Sequence, residues 1–177
     1  MQCSTLTEQA RHWAHSQPDQ VWMRDLNDAG AVEYTWRGAI DQIDRVAAWL
    51  ETEFGHGERM ALLSRNRAHW VMADMAVIHS GNVTVPLFTT HAQATAEYIL
   101  EFTDTKALFL GETENWESVK RVLPTDCLLI TLPGVDCDLP HKKWEELIAA
   151  APLNAPKYQP AADDIVSLVF TSGTTGL

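Results

Sequence analysis

Between residues 60 and 132 the chain alternates short apolar runs with longer stretches of helical periodicity, and few architectures accommodate that alternation. Residues 60–64, 82–87, 106–110 and 127–132 read as strands. Residues 68–79, 92–102 and 113–123 read as helices between them. The pattern predicts an α/β fold, a mostly parallel sheet with flanking helices built from βαβ units and right-handed crossovers. In the helix over 68–79, Trp70, Val71, Met72, Met75, Val77 and Ile78 cover much of the circumference, which predicts burial on several sides. Asn66 is placed to cap it and Gly81 to end it.

The flanks follow simpler rules. Thr5 followed by Glu8 has capping-box spacing, and apolar residues then recur at helical intervals until Pro18. Residues 21–26 and 31–34 read as strands around a turn at 27–30. Thr35 can cap a helix whose buried stripe is Ile40, Ile43, Val46, Ala47, Leu50 and Phe54, with Gly55 and Gly57 at its stop. Residues 141–150 read as a short helix, and Pro152, Pro156 and Pro160 mark an extended connection. Residues 165–170 form the final apolar run. At 177 residues the chain has the size of one domain, and 46% hydrophobic content argues against disorder. A net charge of −11 argues against a general nucleic-acid grip, which needs a basic face. It does not exclude a nucleotide held by local amides and hydroxyls. No signal peptide and no 18-residue apolar run is found, so no transmembrane segment is expected, and the reading is cytoplasmic.

The final apolar run leads directly into Thr171, Ser172, Gly173, Thr174, Thr175 and Gly176. Such a loop suits phosphate binding, because glycines let the backbone approach an anion and successive amides form a concave nest. The four hydroxyls add donors. By composition alone a solvated turn is the better reading. The ordered string TSGTTG outweighs it, since chance would supply it with probability on the order of 10⁻⁵. It is neither a Walker loop nor GxGxxG.

Residues 168–176, LVFTSGTTG, resemble the phosphate-binding signature of the adenylate-forming (AMP-binding) superfamily. The segments HWVMADMAVI, HSGNVTVPLF and EYILEFTDTKALF are similar to bacterial long-chain fatty acyl-CoA synthetases, and the resemblance extends more loosely over the rest. It implies an N-terminal fragment of an ATP-dependent, AMP-forming fatty acid–CoA ligase, using ATP with Mg2+ and coenzyme A as co-substrates. It also implies that Thr171 to Gly176 bind nucleotide phosphates, within an incomplete AMP-binding domain over 1–177 cut inside this loop. No complete catalytic set and no metal site are expected in these residues, because the family's lysine in this loop and its later segments fall past Leu177. Two alternatives stay open: a related adenylating ligase for another carboxylic acid, and a non-catalytic α/β binding module. Peripheral membrane contact is compatible with the sequence, and residues 165–170 are expected to form an end strand lacking a neighbour, through which the fragment self-associates.

Other candidates carry less. Asp74 is the only charge between Trp70 and Ile78, and a hydrogen-bonded structural role is preferred. His91, just after the 82–87 strand, is a weaker candidate for lining a cleft. The wide spacing of the seven tryptophans favours separate packing roles, with Trp70 in the core. Glu112, Glu114 and Glu117 read as a solvated helix start. The pair His12/His15 and the three cysteines lack the company a metal or disulfide framework requires.

Overall fold

The computed structural model describes residues 5–27, 30–151 and 156–171. The chain opens with α1 (Leu6–Ser16), then a hairpin of β1 (Val21–Asn27) and β2 (Gly30–Thr35), then α2 (Trp36–Phe54). Alternation follows through β3 (Arg59–Leu63), α3 (Ala68–His79), β4 (Val83–Leu87), α4 (Gln93–Phe102) and β5 (Ala107–Leu110). The chain continues with α5 (Trp116–Val119), β6 (Leu128–Thr131), β7 (Lys142–Lys143) and α6 (Trp144–Ala150). Strands β3 to β7 form one parallel sheet in the order β4-β3-β5-β6-β7, and β1 and β2 pair antiparallel by themselves.

Strand periodicity splits the core in two. Met60 and Leu62 of β3 and Phe109 of β5 face α2, α3 and α6. Ala61, Leu63, Leu108 and Leu110 face α4 and α5. The chain steps one way from β3 to β4 and the other way from β4 to β5. Right-handed crossovers then require α3 and α4 on opposite faces, which is where they lie.

Local chemistry sets the helix starts. Glu8 N–H donates to Thr5 Oγ1 (3.2 Å) and Thr5 N–H to Glu8 Oε2 (2.8 Å), completing the capping box. Thr35 Oγ1 accepts from Gly38 N–H. Helix α3 departs from expectation: Arg67, not Asn66, occupies its cap and makes no side-chain cap bond. The bond comes from another element, since Ala68 N–H donates to Asp25 Oδ1 of β1 at 2.7 Å. Asp25→Ala is therefore expected to cost about 0.5–2 kcal/mol, as a lost cap does. Urea denaturation checks this, and an unchanged midpoint would refute it.

Three further expectations are corrected. Residues 113–123 are not one helix: α5 is a single turn followed by a 3₁₀ turn at Lys120–Val122. Residues 141–150 begin with β7, which pairs with β6, before α6. Trp13, Trp22 and Trp36 do not act separately. Trp22 stacks on Trp36 at 4.3 Å between centroids and Trp13 stacks on Trp36 at 6.4 Å, joining α1, β1 and α2. Trp70 is half-buried and packs at the margin of the core.

Two tight contacts tie elements together. His79, fully buried on α3, lies with Nδ1 3.0 Å from Asp44 Oδ1 of α2, which also meets Arg11 of α1 at 3.4 Å. Gly81 has φ of 76° and a Cβ there would come within 2.7 Å of the Tyr158 ring, so only glycine suits the turn into β4. No described helix is long and apolar enough to cross a membrane.

Candidate functional site

The carboxyl ends of the parallel strands form one rim, because Leu63 pairs in register with Leu87 and Leu110, and Leu110 with Thr131. Residues 165–170 reach the same rim. Thr84 N–H donates to Val166 C=O (3.0 Å) and Thr84 C=O accepts from Leu168 N–H (2.9 Å), a parallel bridge of Thr84 with Ser167. The last apolar run thus meets β4 on one side through a single bridge at Ser167, where the sequence had suggested a regular strand over 165–170. That register brings the exposed Thr171 level with Phe88, just past the end of β4. Ser172, Gly173, Thr174, Thr175 and Gly176 lie outside the described residues.

Beside this position, the loop after β4 packs on the loop after β5. The Phe88 and His91 rings meet edge-on at 5.0 Å, and Asn115 Nδ2 donates to the His91 carbonyl. Burial pushes the His91 imidazole below its ordinary pKa, which favours the neutral ring at neutral pH. His91 therefore stands on the rim, as its position after the strand suggested.

A second feature of the rim was not read from sequence. Strand β3 leaves the sheet toward α3 on one face and its neighbour β5 toward α5 on the other, so their loops diverge. Such switch points open crevices for ligands in α/β sheets. Here a cavity of about 280 Å³ is lined by Arg67, Leu110, Gly111, Glu112, Thr113 and Trp116, together with residues 134–136. Below it the loops are in close contact. Gly111 N–H donates to Leu63 C=O and Arg65 N–H to Glu112 C=O, both at 2.8 Å. A Cβ on Gly111 would sit 2.0 Å from Ser64 Oγ, so glycine is required by close approach alone.

The charges around this crevice are matched internally. Arg65 pairs with Glu112 (3.4 Å) and Glu114, and Arg67 donates to the Pro133 carbonyl at 2.9 Å. Glu112 and Glu114 are thus ion-pair partners across two loops and precede α5; Glu117 alone sits in its first turn. With its guanidinium groups occupied, the crevice offers polar contacts and little surplus positive charge. Among the described residues no group of three His, Cys, Asp or Glu side chains is arranged to hold a metal ion.

Asp74 lies elsewhere. Burial pushes its carboxyl up, opposed by the Thr84 hydroxyl near the start of β4. Thr84 is four strand residues, about 13 Å at 3.3 Å per residue, from the level of Thr171. Asp74 therefore belongs to the packing of α3 on the sheet edge and not to the rim.

Comparison with known proteins agrees with this geometry. The profile of the family described as AMP-binding enzyme matches residues 10–177. The chain is 31% identical over 165 residues to a "3-[(3aS,4S,7aS)-7a-methyl-1,5-dioxo-octahydro-1H-inden-4-yl]propanoyl:CoA ligase" of Rhodococcus jostii, covering 83% of this chain and 32% of that protein. It is 28% identical over 167 residues to the long-chain-fatty-acid–CoA ligase FadD15 of Mycobacterium bovis, covering 90% of this chain and 28% of that one. The crystal structure of a putative long-chain-fatty-acid CoA ligase from Rhodopseudomonas palustris superimposes with a TM-score of 0.79 at 22% identity, over 96% of this chain and 42% of that one. The chain spans about a quarter to a third of the length of the curated relatives it matches.

Proposed function

The chain belongs to the AMP-binding enzyme family, and on that premise we propose that it is the N-terminal part of an AMP-forming fatty acid–CoA ligase. The observation that carries this reading is the string LVFTSGTTG, whose described residues 168–171 lie beside β4 and reach the carboxyl rim of the sheet. The substrates are a fatty acid, ATP with its Mg2+, and coenzyme A. The carboxylate attacks the α-phosphate, giving acyl-adenylate and pyrophosphate; the thiol of coenzyme A then displaces AMP. Carboxylate and triphosphate repel one another, so positioning and charge neutralisation supply most of the rate. The hydroxyls and amides from Thr171 to Gly176 clasp the β- and γ-phosphates and steady the leaving pyrophosphate.

By this reading residues 1–177 are an incomplete domain of a cytoplasmic enzyme, whose fatty substrates make peripheral membrane contact compatible. Alone, they bind ATP very weakly and form no acyl-CoA. The named ligase relatives and the loop string support it. In the whole protein carrying this chain, Thr174→Ala/Thr175→Ala is expected to lower ATP-dependent acyl-CoA formation about 10²–10³-fold, the usual effect of losing donors to developing charge. Full activity in that variant, or acyl-CoA made by the 177-residue chain alone, would overturn the proposal.

The Rhodococcus relative favours a second reading, a ligase of the same chemistry for another carboxylic acid, since its printed name specifies a fused-ring propanoyl group. Turnover of a panel of fatty, aryl and polycyclic acids separates the two.

A further inference from the structure

The run that leads into Thr171 rests on two supports. Val166 C=O and Leu168 N–H bond to Thr84 of β4, while Leu168 and Phe170 pack against the cluster that holds Ala96, Ile99 and Leu100 of α4. The Phe170 ring also meets Tyr98 and Phe102 of α4 edge-on, at 6.5 and 6.0 Å. Residues 88–91 join β4 to α4, and Phe88 stands level with Thr171. Within this turn His91 N–H donates to Phe88 C=O at 3.1 Å. His91 Nδ1 is buried without a hydrogen-bond partner among the described residues. The tether comes instead from the loop after β5, reaching past β3. Asn115 Nδ2 donates to His91 C=O, the one side-chain hydrogen bond between this turn and another element among the described residues.

We propose that Asn115 is a positioning residue for nucleotide binding: by fixing the 88–91 turn, it sets where β4 and α4 together deliver Thr171 and the loop after it. This inference rests on the reading of Thr171 to Gly176 as the holder of the β- and γ-phosphates. A carbonyl only accepts, so the amide nitrogen of Asn115 must face His91, a role no carboxylate can fill. Asn115 is itself fixed. Its N–H donates to Thr113 Oγ1 at 3.2 Å, and its C=O accepts from the N–H groups of Ser118 and Val119 at the start of α5. The loop that carries it is bonded to β3 and its loop, through Gly111 N–H on Leu63 C=O and Arg65 N–H on Glu112 C=O. The Asn115 side chain makes no cap bond to α5, so its amide is free to serve the turn. Amides that hold an anion act only within about 0.5 Å of the productive geometry. A support that shifts by that much therefore weakens the grip on phosphate while the apolar core stays intact.

Asn115→Asp in the whole protein carrying this chain is the direct test. It keeps the size of the side chain and its fitness for a helix start, but sets a carboxylate against the His91 carbonyl. Isothermal titration compares ATP with AMP, which lacks the β- and γ-phosphates. Affinity for ATP is expected to fall about 3–10-fold, the scale of one hydrogen bond, with AMP affinity and the urea midpoint unchanged. If Asn115→Asp lowers the midpoint, Thr113→Val carries the same comparison, since it loosens Asn115 without adding a charge. ATP affinity at the parent's level overturns the proposal, as does equal weakening of ATP and AMP, which would mark a general structural role. Thr174→Ala/Thr175→Ala separates the two possible failures. If that variant also binds ATP as the parent does, the phosphate-loop reading falls and takes this inference with it. If it binds ATP more weakly and Asn115→Asp does not, only the role of Asn115 is lost.

Discussion

Phe109→Ala is expected to lower the unfolding free energy by about 3–5 kcal/mol, the range for truncating a large buried aromatic. Phe109 lies at the centre of the sheet, fully buried, in register with Leu62 on β3 and Ile130 on β6. Its ring meets Trp144 of α6 edge-on at 6.3 Å, so truncation opens a cavity between sheet and helix. Small domains are stable by only about 5–15 kcal/mol, so this one change removes a large fraction of the margin. Urea denaturation of the variant beside Phe109→Leu, which keeps most of the volume, gives the measurement. A loss below about 1 kcal/mol, less than is usual for a buried aromatic, would mean the two sides do not pack as described.

Acid should destabilise the fold through His69, and removing that imidazole should flatten the response. His69 is 4% exposed on α3, edge-on to Tyr34 at 5.3 Å and to Trp144 at 5.6 Å. Burial first, and the Arg67 guanidinium second, push its pKa down to about 4, against a weaker pull upward from Asp25. The unfolded chain binds this proton near the ordinary histidine value of 6.5, whereas the folded chain resists until about 4. Between those values the unfolded state holds more protons, so stability is full above pH 6.5 and falls as pH drops. The slope approaches about 1.4 kcal/mol per pH unit and the total about 3 kcal/mol across the window.

Half-buried His91 acts in the same direction, and Asp74, whose carboxyl is pushed up, acts against it. The comparison with His69→Gln isolates the one group. Asp104, Asp138 and Asp164 are held low by Lys106, Lys120 and Tyr158, so their contributions are lost only below the ordinary carboxylate range. Urea midpoints from pH 7.5 to 5 should converge downward in the parent and change less in His69→Gln. Parallel curves for the two proteins would remove His69 as the cause.

The tryptophan stack and the Asp25 cap show where sequence reading stopped. Trp13, Trp22 and Trp36 are nine and fourteen residues apart, and only the packing of the hairpin on α1 and α2 brings them together. Asn66 satisfied every local rule for a cap, yet a carboxylate from β1 supplied the bond. Glu112 and Glu114 looked like a solvated helix start because their partner, Arg65, is more than forty residues earlier.

By itself the sequence determined the α/β class, the span of α3, the caps at Thr5 and Thr35, and the ordered TSGTTG string. Each rests on neighbours within a few residues: periodicity, capping spacing, or an ordered run of glycines and hydroxyls. Only the tertiary structure decided the strand order, and with it the crevice between the β3 and β5 loops and the bridge of Ser167 to β4. The physical reason is that pairing energy along a sheet depends on which strands meet, and backbone groups that are chemically alike carry no local mark of their partner.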